Sequence, residues 1–389
     1  MANRVTYARA IYFAIFLIAI ILLALNTCIP LGKYMYKARN TLPFLKGVTT
    51  EDEATNALTR VIFFAFFIFH CMMALLTVGS TGFFKYFHRH LWIVKIPILI
   101  GLNVLGIFLN RDWLIKFSYV AVVLIAVFII FQFIAMAQLG YIANNSIYGD
   151  GSSKGALVFL LIVSILLFGL GLMFCILEMV LGDGNIHSIW PPVVTIILGI
   201  VYTVISLLWL EGCMLPCAIL FCIFSTWSIV VFCILTGTVL PTWASTTVFI
   251  TQYAAFFITL IVVCSADISL TPLFAGARLD QLDSMEMLSE EEEWETPGDD
   301  DKSPTSSRPE PEASYNMWYF HLILACASSF FVFSSGLSGV SGTQGKISSG
   351  TIAGASFLGA IIFTWTLVAT KCFPDRDFGV PNRPGGYFQ

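Results

Sequence analysis

The chain has 389 residues, 58% of them hydrophobic and 11% charged, with a mean hydropathy of +0.85. Soluble domains carry about 25% charged residues, so water is excluded as the main solvent and a water-soluble enzymatic domain with it. The net charge of −4 is uneven: 13 of the 24 acidic residues lie between Asp280 and Glu312, where only Lys302 and Arg308 offset them, leaving 11 acidic and 18 basic residues elsewhere. A mildly basic membrane body thus carries one acidic loop, with no basic stripe of the kind nucleic acid requires.

Long unbroken apolar runs, rather than short strands of alternating polarity, predict helices and not a barrel. At about 20 residues per span, the first runs from Ala8 to Ile29, flanked by Arg4 and Arg9. No small-residue cleavage site follows it, so a retained helix is expected and not a signal peptide. The second runs from Leu58 to Val78 and the third from Leu91 to Leu109. The fourth begins near Trp113 and continues past normal span length, with no proline before Pro191 and its first glycine at Gly140, which predicts a long tilted helix. Four more follow at Leu157–Leu181, Pro192–Leu210, Pro216–Leu235 and Ala244–Ser265, the first three joined by very short turns. The last two cover Met317–Leu337 and Thr351–Thr370.

The expected fold is therefore all-α, a polytopic protein of about ten spans. Spans one to eight fall within residues 1–275, and spans nine and ten within 315–373. Residues 276–314, with Glu290-Glu291-Glu292-Glu293 and Asp299-Asp300-Asp301, read as an acidic disordered cytosolic loop. Residues 374–389 read as a polar tail. Ten crossings put both termini on one side. That side holds 11 Lys/Arg against eight opposite, which predicts cytosolic termini. The sequon Asn144-Asn145-Ser146 then faces the cytosol and is expected to stay bare. The host membrane is expected to be the plasma membrane or an endomembrane.

The ten cysteines show neither disulfide nor zinc spacing, and Cys71, Cys175 and Cys264 lie inside apolar runs. Cys372, just after the last span, reads as a free interfacial thiol or an acylation site. No metal or cofactor is expected. A Walker A loop and an HExxH motif are both absent from the sequence, and no catalytic constellation assembles from the few intramembrane polar residues.

Ionisable groups at membrane depth are costly and face protein or water. The candidates are His70 in the second span, Lys95 one turn into the third beside Trp92, Gln132 and Gln138 on the fourth, Glu178 near the end of the fifth, Glu211, Asp267, and His321 opening the ninth. Each has a plain reading as well: snorkelling for Lys95, hydrogen bonding across helices for Gln132 and His70, and an interfacial position for the rest. Gly350, Gly354 and Gly359 on the last span suggest close helix approach.

Several stretches together resemble the serine incorporator family of multipass membrane proteins. They are Tyr315 with Phe320-His321, Lys346-Ile347-Ser348-Ser349, Trp365-Thr366-Leu367-Val368-Ala369 and Arg376-Asp377-Phe378, in the family's order. Leu91-Trp92-Ile93-Val94-Lys95, Gln132, Arg60 and Thr226-Trp227-Ser228 extend the likeness upstream. The family's helix-four aspartate appears here as Gln138 and its following histidine as Tyr141, so the chain resembles a divergent member. The resemblance implies two helical bundles joined by a long oblique helix, and a role in membrane lipids without enzymatic chemistry. It implies passive scrambling of phospholipids between leaflets or, alternatively, carriage of serine for phosphatidylserine and sphingolipid synthesis. For scrambling, Lys95 would attract phosphate, with Gln132, Gln138, His70 and Trp92 as further candidates along the lipid path. His321, Lys346, Ser348, Ser349 and Trp365 are motif positions without an assigned role. The expected partners are membrane phospholipids, with serine and cytosolic sorting proteins as further possibilities, the latter through the acidic loop.

Overall fold

A computed structural model describes residues 2–28, 31–78, 87, 91–148, 154–208, 210–265, 313–336 and 342–372. All regular elements among these residues are helical: α1 (Ala2–Cys28), α2 (Leu31–Lys37), a single 3-10 turn (Pro43–Leu45), α3 (Glu51–Val78), α4 (Trp92–Phe108), α5 (Arg111–Tyr148), α6 (Lys154–Leu181), α7 (Ile186–Leu208), α8 (Leu210–Thr236), α9 (Thr242–Ser265), α10 (Ala313–Gly336) and α11 (Gly342–Cys372). Seven of them, α3, α5, α6, α7, α8, α9 and α11, are long and apolar enough to cross a membrane. Shorter apolar segments at Ala8–Ile21, Trp92–Phe108 and Trp318–Phe333 belong to α1, α4 and α10. The protein is an all-α polytopic membrane protein. The acidic loop up to residue 312, the tail, Asp267 and Arg376-Asp377-Phe378 lie outside the described residues, as do the side chains of Glu211 and Cys372.

The solvent pattern is inverted relative to a soluble protein. α6 turns Ile162, Ile165, Leu166, Leu172, Ile176, Met179 and Val180 outward, and α7 does the same with Val193, Ile197, Ile200, Val204 and Leu207. Such apolar faces are stable only against hydrocarbon. The polar side chains are instead turned inward.

Two groups of helices pack on either side of α5. The first contains α1, α3, α4, α9 and α10, with α3 against α10 as its most extensive joint. Phe63 stacks on Phe331 at 4.4 Å while His70 meets His321, so α3 and α10 run antiparallel. The second contains α6, α7, α8 and α11, gathered around α8. α5 packs against α8, α10 and α11, and also against α9 and α3, so it belongs to both groups. Its 38 residues span about 57 Å at the α-helical rise, well beyond a hydrocarbon core of about 30 Å. The helix must therefore lean or protrude.

The second bundle is organised by one aromatic wedge. Phe221 of α8 is buried between Gly171 of α6 and Gly199 of α7. A Cβ on Gly171 would stand 2.7 Å from the Phe221 ring, and one on Gly199 2.5 Å from its other edge. Gly140 of α5 likewise lies against Pro216 of α8, where a Cβ would stand 2.8 Å from Cα. The small residues of α11 behave differently from the sequence expectation. Gly350 and Gly354 have open space where a Cβ would project, and Gly359 alone of the three meets a neighbour, the ring of Phe133. Their spacing allows close approach, but only Gly359 lies on a face that another helix covers.

Before α3 the chain builds a cap that the sequence reading did not foresee. Phe44, Leu45 and Val48 pack on Ala54, Ala57, Val61 and Leu114. Arg111 donates to the Gly47 carbonyl and lies 3.8 Å from the Glu53 carboxylate. Thr50 caps α3 by accepting from the Glu53 N–H at 3.2 Å, and Glu53 in return accepts from the Thr49 N–H at 2.7 Å, so orphan donors at the helix start are satisfied.

Candidate functional site

Among the described residues, three buried clusters pair polar side chains from parts of the chain far apart. The largest sits in the first bundle. His70 comes from α3, His321 from α10, Lys95 and Trp92 from α4, and Tyr12 from α1. The two imidazole Nδ1 atoms are 3.1 Å apart. That contact needs one bare nitrogen and one N–H, so the rings hold complementary tautomers. Tyr12 lies edge-on to His321 at 4.6 Å and against Trp92 at 4.7 Å, and its hydroxyl donates to the Met73 sulfur at 3.8 Å.

The Lys95 ammonium lies 4.0 Å from the Trp92 ring centre, 5.1 Å from Tyr12 and 5.5 Å from Phe87. Its side chain is 0% exposed. Aromatic faces attract a desolvated ammonium by about 2 kcal/mol or more, so the lysine is held inward and does not snorkel. α4 is aimed at this cluster by a sharp entry: Leu91 adopts φ 38°, in the left-handed region, which disfavours a branched side chain by about 1–2 kcal/mol.

The second cluster ties α5 to α8. The Trp227 indole N–H donates to Gln132 Oε1 at 2.9 Å, with both side chains buried. The pair joins two motif segments that are 95 residues apart. Gln138, farther along α5, is half-buried. The third cluster lies between α6 and α8, where the fully buried Glu178 accepts a hydrogen bond from Ser228 Oγ at 3.1 Å.

The structure thus brings His70, Lys95, Trp92 and His321 together but keeps Gln132 and Gln138 apart from them, on the joining helix. His70, Lys95 and Gln132 occupy helix joints, while Trp92 and Gln138 retain partial exposure. Lys346, Ser348, Ser349 and Trp365 all lie on α11 in the other bundle. There Ser348 and Ser349 are buried, Ser349 Oγ donates to the Lys346 carbonyl at 3.0 Å, and Lys346 and Trp365 face outward. Sequence reasoning missed Tyr12, the hub of the first cluster. A tyrosine in an apolar run carries no local signal of its partners. Ser228 was in view only as part of Thr226-Trp227-Ser228. No group of three or more His, Cys, Asp or Glu among the described residues has metal-binding geometry.

Outside the spans, the α6–α7 turn is held by Asp183. It accepts from the Asn185 N–H at 3.1 Å and the Ser188 hydroxyl at 3.0 Å. These bonds, the Asn185 N–H first, hold its carboxyl below the usual aspartate range.

Of the motif residues, Lys95, Gln132, Trp227, His321, Ser348 and Ser349 come to the interior, distributed over both bundles, while Lys346 and Trp365 face outward. No curated protein matches the chain. The family model for the serine incorporators (Serinc) matches residues 1–376, nearly all of the sequence. This integral membrane protein belongs to the serine incorporator family.

Proposed function

We propose that the protein lets phospholipid headgroups move passively between leaflets along the flank of α5. The physical barrier to that movement is the cost of taking a charged headgroup through hydrocarbon. Side chains that offer neutral hydrogen bonds lower it while the acyl tails stay in lipid. The observation that carries the reading is Gln138, a half-buried amide on the helix that belongs to both bundles. Gln252 on α9, which packs on α5, adds a buried Nε2 with no acceptor among the described residues. Gln138 thus offers a partly exposed amide on the joining helix, and Gln252 an unpaired one on a helix packed against it. No chemical bond changes in this process, so no enzymatic step is invoked.

The test is reconstitution. Purified protein in liposomes carrying fluorescent phospholipid should make the inner-leaflet fraction accessible to an impermeant quencher without nucleotide. A quenching plateau at one half, as in protein-free vesicles, would refute it. Serine carriage is the second reading, favoured by the buried Lys95 amine in the same cluster as two imidazoles, groups suited to a carboxylate. Labelled serine uptake into the same vesicles separates the two readings. Deleting residues 280–312 should alter sorting and leave lipid movement intact.

A further inference from the structure

Among the described residues, Glu178 is the one buried carboxyl group. It is 0% exposed, and only one of its oxygens has a partner. Oε2 accepts from Ser228 Oγ at 3.1 Å, and Oε1 has no hydrogen-bond partner. The titratable groups that interact with it are two thiols, Cys175 on its own helix and Cys233 on α8. His187 in the first turn of α7 and Asp183 in the intervening turn are both exposed. A carboxylate in such a place would leave one oxygen wholly desolvated and a full charge unbalanced, at a cost of several kcal/mol. The neutral acid avoids the charge and needs one hydrogen bond, which Ser228 can accept.

We propose that Glu178 is a proton-binding site, loaded at neutral pH, that exchanges with the membrane face where α6 ends and controls how tightly α6 closes on α8. The carboxyl group lies three residues before the end of α6 at Leu181 and five before the exposed Asp183, so a proton has about 4.5 Å of helix to cover at 1.5 Å per residue. Loss of the proton leaves a carboxylate that must reach water or draw water in. α6 keeps most of its apolar window toward lipid, with 22% buried against 78% in α8, but its joint with α8 is extensive, so it is the carboxylate charge that must loosen the seam. An opened α6–α8 seam admits water into the second bundle beside α5, which packs on both helices, and eases headgroup movement along the α5 flank. This last step rests on the lipid-scrambling reading; the proton site itself does not.

The experiment has two arms on the full-length protein in liposomes. In the first, infrared difference spectra between neutral and alkaline pH monitor the carbonyl stretch of a protonated carboxylic acid. The band should be present at neutral pH, disappear reversibly on alkalinisation, and be missing from E178Q. A neutral-pH difference spectrum identical in wild type and E178Q overturns the proton site. Because E178Q preserves shape and hydrogen bonding, its folding is checked by thermal stability. E178D, which keeps the acid, should retain a carbonyl band. In the second arm, lipid scrambling is followed over the same pH range. Wild type should speed up as pH rises and E178Q should lose that dependence. Equal pH dependence in both overturns the control of α6. Scrambling absent at every pH, with the infrared band intact, would refute the lipid reading while leaving the proton site standing.

Discussion

The Phe221 wedge offers the sharpest test of how the second bundle is assembled. The ring is 3% exposed and is gripped on opposite edges by Gly171 and Gly199, with hypothetical Cβ contacts of 2.7 and 2.5 Å. Both lie below the 3.0 Å that real Cβ atoms essentially never breach. In G199A the ring must shift, yet moving off α7 drives it into α6. Overpacking of this kind costs about 1–3 kcal/mol, partly offset by the roughly 1 kcal/mol that alanine gains over glycine in a helix. The expected net is a destabilisation of about 1–2 kcal/mol. In the F221L background the smaller side chain leaves room, so the same G199A substitution should become neutral or slightly stabilising. The coupling between the two positions should reach about 1–3 kcal/mol. Equilibrium unfolding of the purified protein by SDS titration, followed by tryptophan fluorescence, reads all four corners of the cycle. If G199A costs the same with phenylalanine as with leucine at 221, or stabilises the wild-type background, the wedge is wrong.

Removing Gln132 while keeping Trp227 should be worse than removing both polar partners. Q132L leaves the indole N–H buried and unpaired, and W227F restores much of the loss; the interhelical bond itself should read about 0.6 kcal/mol, at most about 1.7, in the double-mutant cycle. L91G should stabilise the entry to α4 by up to about 1 kcal/mol, measured as a rise in thermal midpoint, because glycine tolerates the left-handed φ without a steric penalty. Asp183 carries a pH dependence of known sign. Its folded carboxyl titrates below the unfolded one, so its contribution is present above the ordinary aspartate range and is lost as pH falls through the lower, folded value. Hydrogen exchange at the Asn185 and Ser188 amides of the α6–α7 turn should rise on that acidification, and D183N should remove the effect. Mass spectrometry of Asn144 should show the bare residue even when the protein is made in a glycosylating membrane system, since its side chain is 1% exposed and leaves no space for a glycan.

Much of the architecture was legible without coordinates. A chain that is 58% hydrophobic and 11% charged must satisfy its backbone hydrogen bonds internally, and long apolar runs permit only helices. That local rule places α6, α7, α8 and α9 within a few residues of where they occur, and the missing prolines and glycines after Trp113 announce the long α5. The cap at Phe44–Val48 and the early start of α3 were hidden, because polar residues there belong to a short helix and a capping box and not to a span. The early start of α11, which takes in Lys346-Ile347-Ser348-Ser349, was hidden by the same polar composition.

The polar residues show the limit more clearly. Spacing along one helix tells how far His70 lies from the end of α3, but not which of the other helices it faces. Only the tertiary packing puts His321 at 3.1 Å from it, encloses Lys95 in three aromatic rings and leaves one oxygen of Glu178 unpaired. The number and identity of the spans follow from the free energy of apolar surface in lipid, which is additive along the chain. Helix partnership depends on shape matching between distant segments, such as two glycines closing on Phe221, and that information exists in no single window of sequence.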